Sequence, residues 1–371
     1  KNKQFYIFKN NFFVIFIVFY FYLIANSSFQ NQNLDSLRIS FSYIRFGLFS
    51  LALMYFLNHD PKLIKKIFYS ILLIFIILIF DGFFQYIIGQ NLLGWKLKYP
   101  GPRVASLFGD ELILGSYVSR MFPLLIGLVF FINFTNKKNF LLFIVIICSI
   151  FLVLISGERT AFFLIILSLC LMFFLINENK KIMRYFFIIS MSMLILTIST
   201  SERIKQRLID VTLEKMFVSD ENTRNYIFSR QHDEHYVSAI RMFKQNPLTG
   251  VGVKNFRVFC SEKEFYISEF TCSSHPHNTY IQLLSETGII GFIIIFSCFI
   301  FLTYNMIIHY LGGLKKKPKF NDLQVCLIIA IYLTLWPLVP SGNFFNNWLS
   351  IIYYYPVGIF LWSLQSNQNK Y

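Results

Sequence analysis

Apolar runs of about 20 residues set the limits of what this chain can become. A helix needs roughly that length to cross a ~30 Å hydrocarbon core, and there it must satisfy its own backbone hydrogen bonds. Ten such runs are legible, at residues 5–25, 39–57, 67–89, 112–133, 139–156, 160–177, 183–200, 279–311, 323–340 and 347–364. They predict an all-α fold, a polytopic membrane helix bundle of about ten or more transmembrane helices. The intervals between runs leave no room for a soluble domain of ordinary size, so residues 1–371 read as a single integral membrane domain. Its one large insert, residues 201–278, reads as an outward loop of short helices. The chain opens on Lys1 rather than Met, with no signal-peptide cleavage pattern after the first run, so one or two further helices are expected upstream.

Composition closes off the other classes. Hydrophobic residues make up 56% and charged residues only 14%, and the mean hydropathy of +0.55 is not that of a soluble globular protein. A net charge of +15 raises the question of nucleic acid. The lysines, however, fall in short clusters between apolar runs, as cytoplasmic loops do, and no nucleic-acid partner is expected. With a cytoplasmic N-terminus, every second loop is basic: Lys1, Lys3 and Lys9; Lys62, Lys65 and Lys66; Lys137 and Lys138; Lys180, Lys181 and Arg184; Lys315, Lys316, Lys317 and Lys319. The alternation places the segment from about Ser201 to Asn278 on the outward side.

The outward segments hold the residues with chemistry to offer. The second outward stretch, GWKLKYPGPRVASLFGDELILGS between the third and fourth runs, sets Arg103 behind a Pro100-Gly101-Pro102 turn, with a snorkelling arginine as the plainer alternative. The turn Ser156-Gly157-Glu158-Arg159-Thr160 puts Arg159 at the rim of the bundle, where charge needs a partner or a wet cavity. Pairing with Glu158 or a lipid phosphate would satisfy it. Ile204, Leu208, Val211 and Leu213 alternate with charge and predict an amphipathic helix at the membrane surface. Tyr236, Ile240 and Phe243 then recur at helical spacing, which leaves His232, His235 and Arg241 on overlapping or adjacent faces. His232, Asp233 and His235 lack the HExxH spacing and a third ligand, so no metal site is expected.

From Asn246 to Phe292 runs the densest polar interval. Gly250 and Gly252 follow Pro247 in a turn that lets backbone approach something closely. His275-Pro276-His277-Asn278 precedes the eighth apolar run, which places His277 near a helix N-terminus, where an imidazole can exchange a proton with a hydroxyl. The alternative is that Asn278 or Thr279 caps the helix and the histidines are solvated. Of the six cysteines, Cys148, Cys170, Cys298 and Cys326 lie in apolar runs and read as small fillers, while Cys260 and Cys272 lie in the outward loop.

Three segments taken together, NPLTGVGVKNF, HPHNTYIQLLSETGIIGF and the earlier SGERTAFFL, resemble the O-antigen ligase and O-antigen polymerase superfamily over roughly Pro100 to Gly291. The resemblance implies a multi-pass protein of the bacterial inner membrane whose active loop faces the periplasm. Its activity would be transfer of a glycan from an undecaprenyl-diphosphate carrier to lipid A-core or to a growing glycan, without metal or other cofactor. It further implies membrane lipids around the substrate and a chain-length regulator as a further partner. Arg159 is then expected to face the lipid diphosphate and His277 to activate the acceptor hydroxyl. A loop arginine should join Arg159. Here the usual arginine preceding a tryptophan is missing, Tyr236 stands near the tryptophan's place, and Arg241 and Arg230 both remain candidates. Arg103, Arg230, His275, Asn278, Gly250 and Gly252 are expected at the substrate. In an oxidising periplasm Cys260 and Cys272 are expected to pair, the alternative being two thiols. Two other functions compete: a lipid-linked oligosaccharide flippase or other transporter, and a polyprenyl-phosphate-sugar glycosyltransferase, which would need acidic residues in a first outer loop that offers only Asp35.

Overall fold

The computed structural model describes residues 8–29, 34–98, 103–132, 136–215 and 229–368. Among these the regular structure is helical apart from two isolated bridges, Gln90 with Lys96 and Lys98 with Arg103. In chain order the helices are α1 (Asn11–Phe29), α2 (Leu34–Ser42), α3 (Ile44–His59), α4 (Leu63–Ile88), α5 (Leu114–Ile132), α6 (Asn136–Ile155), α7 (Arg159–Leu175) and α8 (Lys180–Thr200). They continue with α9 (Glu202–Lys205), α10 (Val211–Lys215), α11 (Arg230–Gln245), α12 (Phe256–Phe259), α13 (Thr279–Leu314), α14 (Asp322–Thr334) and α15 (Asn347–Gln368).

Each of the ten apolar runs contains a helix among the described residues, but only part of the expected set of ten or more membrane spans is seen. Six spans among the described residues are long and apolar enough to cross a membrane: α1, α2 with α3, α4, α5, α8 and α13. The apolar stretch Phe140–Ile155 of α6, together with α7 and α14, is shorter. The ninth run was expected to continue to residue 340, whereas α14 stops at Thr334. Pro337 cannot extend a helix, and the freed carbonyls of Leu335 and Pro337 accept hydrogen bonds from Tyr280 Oη at 2.7 Å and Asn278 Nδ2 at 2.8 Å.

The chain divides into two compact units: residues 1–55, 214–303 and 335–362 form the first, and residues 56–213, 304–334 and 363–371 the second. The polar interval 201–278 is therefore shared between them, changing unit at Glu214.

In the first unit, Tyr43, 1% exposed, is ringed by Phe19, Phe46, Phe344, Phe345 and Tyr354. Outside the apolar helices a small core of Ala239, Met242, Val251, Phe256, Cys260 and Phe265 holds α11 against the loop that follows it. That loop docks on a break in α13. Gly288 has φ 61 and ψ −167, so the helix is interrupted there. The carbonyls of Ser285 and Glu286 instead accept from Val251 N (2.8 Å) and Gly252 N (3.0 Å), and Ile289 N donates to Pro247 O at 2.9 Å. The approach is so close that a Cβ on Gly250 would lie 2.5 Å from Ser285 O and 2.7 Å from Gly288 N. Asn26 and Tyr22 of α1 donate to the Thr249 and Thr287 carbonyls and fasten the joint from the other side. The closeness anticipated for Gly250 and Gly252 is thus an approach to the backbone of α13.

In the second unit α5 and α14 are buried along most of their length. Gly127 allows their contact, since a Cβ there would sit 2.7 Å from Cys326 Cβ. Asp81 and Gln85, buried inside α4, tie down the segment that carries Arg103. Asp81 accepts from Ser106 Oγ (2.6 Å) and Leu92 N (3.0 Å), and Gln85 Oε1 accepts from Ala105 N (3.0 Å) and Ser106 N (2.7 Å).

Candidate functional site

Four of the chain's six histidines meet in the first unit. His232 and His235 come from the first two turns of α11, and His275 and His277 from the segment leading into α13. Ring centroids lie 4.1 Å apart for His275 and His277, 5.3 Å for His235 and His277, and 5.4 Å for His232 and His277, so His277 is the common member.

Their hydrogen bonds assign different tasks. The Ser341 carbonyl can only accept, so His275 carries its proton on Nε2, which donates to Ser341 O at 3.1 Å. His275 Nδ1 is then the acceptor from Ser274 Oγ at 2.9 Å, and both nitrogens are engaged. His277 uses Nε2 with Ser273 Oγ at 3.0 Å, and its Nδ1 has no hydrogen bond among the described residues. His277 is also held in the left-handed backbone region, at φ 60. That conformation costs an L residue about 1–2 kcal/mol, and it is fixed by Ser341 N donating to His277 O at 2.8 Å. Burial, reinforced by the neighbouring imidazoles, holds His277 down to about 3 and His275 to about 4, and burial lowers His235 as well. At neutral pH His235, His275 and His277 are uncharged imidazoles.

Asn278 caps α13: its Oδ1 accepts from Tyr280 N (3.0 Å) and Ile281 N (3.1 Å). The turn at Ser341 to Asn347 pins the same end, with Thr279 Oγ1 and Ser341 Oγ at 2.9 Å and Phe344 N donating to Gln282 Oε1 at 2.9 Å. Cys260 and Cys272 are joined as a disulfide, Cα atoms 5.3 Å apart, between α12 and the histidine segment.

The two loop arginines part company. Arg230, in the first turn of α11, pairs with buried Glu234 at 3.0 Å and lies over the Phe270 ring. Arg241 is exposed, lies eleven residues further along α11, and donates to the carbonyls of Glu264 and Tyr266 at 3.4 Å. Arg230 therefore shares the His232 end of the helix, and Arg241 does not.

The second unit holds a group of guanidiniums. Gly157, at φ 64, lies under two of them: a Cβ there would be 3.2 Å from Arg103 Cγ and 3.4 Å from Arg207 Cγ. Arg207 Nε donates to Gly157 O at 3.2 Å, and Arg159 opens α7 two residues on. Burial and the Arg207 charge lower Arg103, and Arg103 Nε is buried with no hydrogen-bond partner among the described residues. Among the described residues no carboxylate lies within ion-pair distance of Arg103, Arg159 or Arg207. Glu158 does not pair with Arg159. Its carboxylate caps α5 instead, accepting from Gly115 N at 2.6 Å and from Ser116 N and Oγ at 3.0 and 2.7 Å. Burial raises Glu158 despite those bonds. The Pro100 to Pro102 turn ahead of Arg103 lies outside the described residues.

Arg207 escaped the sequence analysis because an arginine in an amphipathic stretch reads as a solvated charge. It sits in a π-type turn at Gln206–Asp210, between α9 and α10, where the helical path widens. Arg120, 3% exposed within α5 and donating from Nη1 to Ser116 O at 3.1 Å, was likewise passed over inside an apolar run. Among the described residues, no group of three or more His, Cys, Asp and Glu side chains is arranged to hold a metal ion.

No curated protein matches the chain. Residues 143–296, which carry Arg159, Arg207, the α11 histidines and the His275 to Asn278 segment, match the family model for O-antigen ligase. By that match residues 143–296 are similar to the O-antigen ligase family.

Proposed function

We propose that this chain transfers a glycan from an undecaprenyl-diphosphate carrier to a sugar hydroxyl at the periplasmic face of the bacterial inner membrane. The acceptor is lipid A-core for a ligase or a lipid-linked glycan for a polymerase. About ten transmembrane helices carry the site, and no metal takes part. The observation that carries this proposal is the set of guanidiniums at Arg103, Arg159 and Arg207, which lack ion-pair partners among the described residues. Like charges held within roughly 8 Å of one another repel by about 2 kcal/mol each at an effective dielectric near 20, so such a group is stabilised when an anion arrives. Guanidinium binds phosphate oxygens bidentately and keeps its charge at any relevant pH.

In this scheme the diphosphate leaves into the positive field of the arginines as the C–O bond at the anomeric carbon breaks. His277 accepts the acceptor proton at Nδ1 while Ser273 steadies Nε2. His275, with both nitrogens engaged, positions His277. An imidazole held near 3 is uncharged at neutral pH, which leaves its Nδ1 lone pair open to a hydroxyl proton but makes it a weak base until its surroundings change.

Substituting His277→Gln and, separately, Arg159→Gln in cells that depend on this chain should remove surface glycan, with transfer falling about 10²–10⁴-fold for His277→Gln. Unchanged glycan length and attachment in both variants would overturn the proposal and bring transport forward. Deleting the chain separates the two forms of the reaction: single repeats left on the core indicate a polymerase, and none indicates a ligase.

A further inference from the structure

Three further cations of the first unit attach to the segments that hold the histidines. Lys254 precedes α12, Arg257 lies within it, and Arg45 is in the first turn of α3. Arg257 Nη2 donates to Ser274 O at 3.0 Å, and Ser274 Oγ in turn bonds His275, so this guanidinium is tied to the imidazole cluster. Arg45 is anchored by Asn347 Oδ1 and by the Phe46 ring, 4.8 Å from its guanidinium carbon. The nearby carboxylate, Glu286, is wholly buried. It is occupied by the backbone N–H groups of Lys254 and Phe256 and by the Gln282 amide. None of the three cations forms an ion pair among the described residues. Lys254 moreover stands at φ 58, a left-handed position that glycine would fill without strain. A lysine there keeps an ammonium at that point at the expense of backbone strain, and such strain collects at functional sites.

We propose that Arg45, Lys254 and Arg257 form a second anion site, which takes a phosphoryl group of the acceptor glycolipid and so delivers the acceptor hydroxyl to the histidines. The inference rests on the transferase proposal and assigns its second substrate. Three cations against one buried carboxylate leave an excess matching a phosphomonoester or diphosphate. Burial, and then the Arg257 and Arg45 charges, hold the Lys254 ammonium below its ordinary value, a repulsion that a bound phosphoryl group relieves. The same chemistry is offered by a phosphorylated core glycolipid and by a second polyprenyl diphosphate.

The test titrates inorganic pyrophosphate into the full chain in phosphatidylcholine nanodiscs and counts binding events by calorimetry. Two are expected. Arg103→Gln with Arg159→Gln should remove one, and Lys254→Gln with Arg257→Gln the other, while the charge-conserving pair Lys254→Arg with Arg257→Lys keeps both. Pyrophosphate binding unaffected by Lys254→Gln with Arg257→Gln overturns the inference, as does loss of the second event when phosphatidylglycerol replaces phosphatidylcholine. If the Arg103 and Arg159 variants change nothing while the Lys254 and Arg257 variants remove an event, the donor assignment fails and the second site stands. In the reconstituted reaction, Lys254→Gln with Arg257→Gln should raise the acceptor KM at least about tenfold and leave the donor KM unchanged. Competition separates the sources: whichever of phosphorylated core glycolipid and polyprenyl diphosphate removes the second event is the acceptor, and displacement by neither contradicts the inference.

Discussion

At the scale of single residues, the proposed chemistry turns on imidazoles kept neutral. His275 and His277 sit near 4 and 3, below the ordinary value of about 6.5, so the folded segment binds fewer protons than the unfolded one. Their contribution to stability is complete above about pH 6.5 and is lost as the pH falls toward 4. Protection factors across residues 273–278, with the intrinsic pH dependence of amide exchange divided out, should therefore fall over that window, and His275→Gln should flatten the response. Protection that stays constant from pH 7 to 4.5 would contradict the burial argument. Arg159 was legible as a charge in a short turn between two long apolar runs, and His277 as an imidazole just ahead of another. The role of Glu158 was not. Its partner Gly115 lies 43 residues upstream, and nothing local shows that the carboxylate caps another helix rather than pairing with its arginine neighbour. The gathering of four histidines was hidden for the same reason: His235 and His277 belong to segments with no shared periodicity.

At the scale of elements, the joint between the Pro247 to Gly252 turn and the broken α13 sets where the histidines stand. The apolar runs foretold helices because hydrophobicity at that length leaves a chain little choice. They did not foretell the break at Gly288, since an isolated glycine in an apolar run is usually tolerated as helix. Gly250→Ala places a methyl against Ser285 O and Gly288 N in a left-handed position. It should cost about 2 kcal/mol or more, read as a lowered thermal midpoint of the full chain in detergent. Unchanged stability would mean that the turn can lift from the helix. The Cys260–Cys272 bridge constrains the same region across a separation of 12 residues. A link of that size stabilises by about 3 kcal/mol on chain-entropy grounds. Replacing both cysteines with serine should raise amide exchange between α12 and α13, and should lower transfer less than His277→Gln does. Equal losses would make the bridge part of the chemistry.

For the whole molecule, the histidines belong to one unit and the guanidiniums of Arg103, Arg159 and Arg207 to the other. In the proposed reaction the first unit would supply the proton acceptor and the second the cations for the leaving diphosphate. Membrane-length helices were readable from the chain. The division into units was not, because it depends on which helices pack together, and apolar runs carry little information about their partners. The central claim is that a glycosidic bond is broken and remade, and one reconstitution tests it. The full chain in sealed vesicles, given a lipid-linked glycan donor and an acceptor glycolipid, should release undecaprenyl diphosphate in step with glycan appearing on the acceptor, and His277→Gln should abolish both. Intact lipid-linked glycan crossing the vesicle membrane with no diphosphate released would contradict the account.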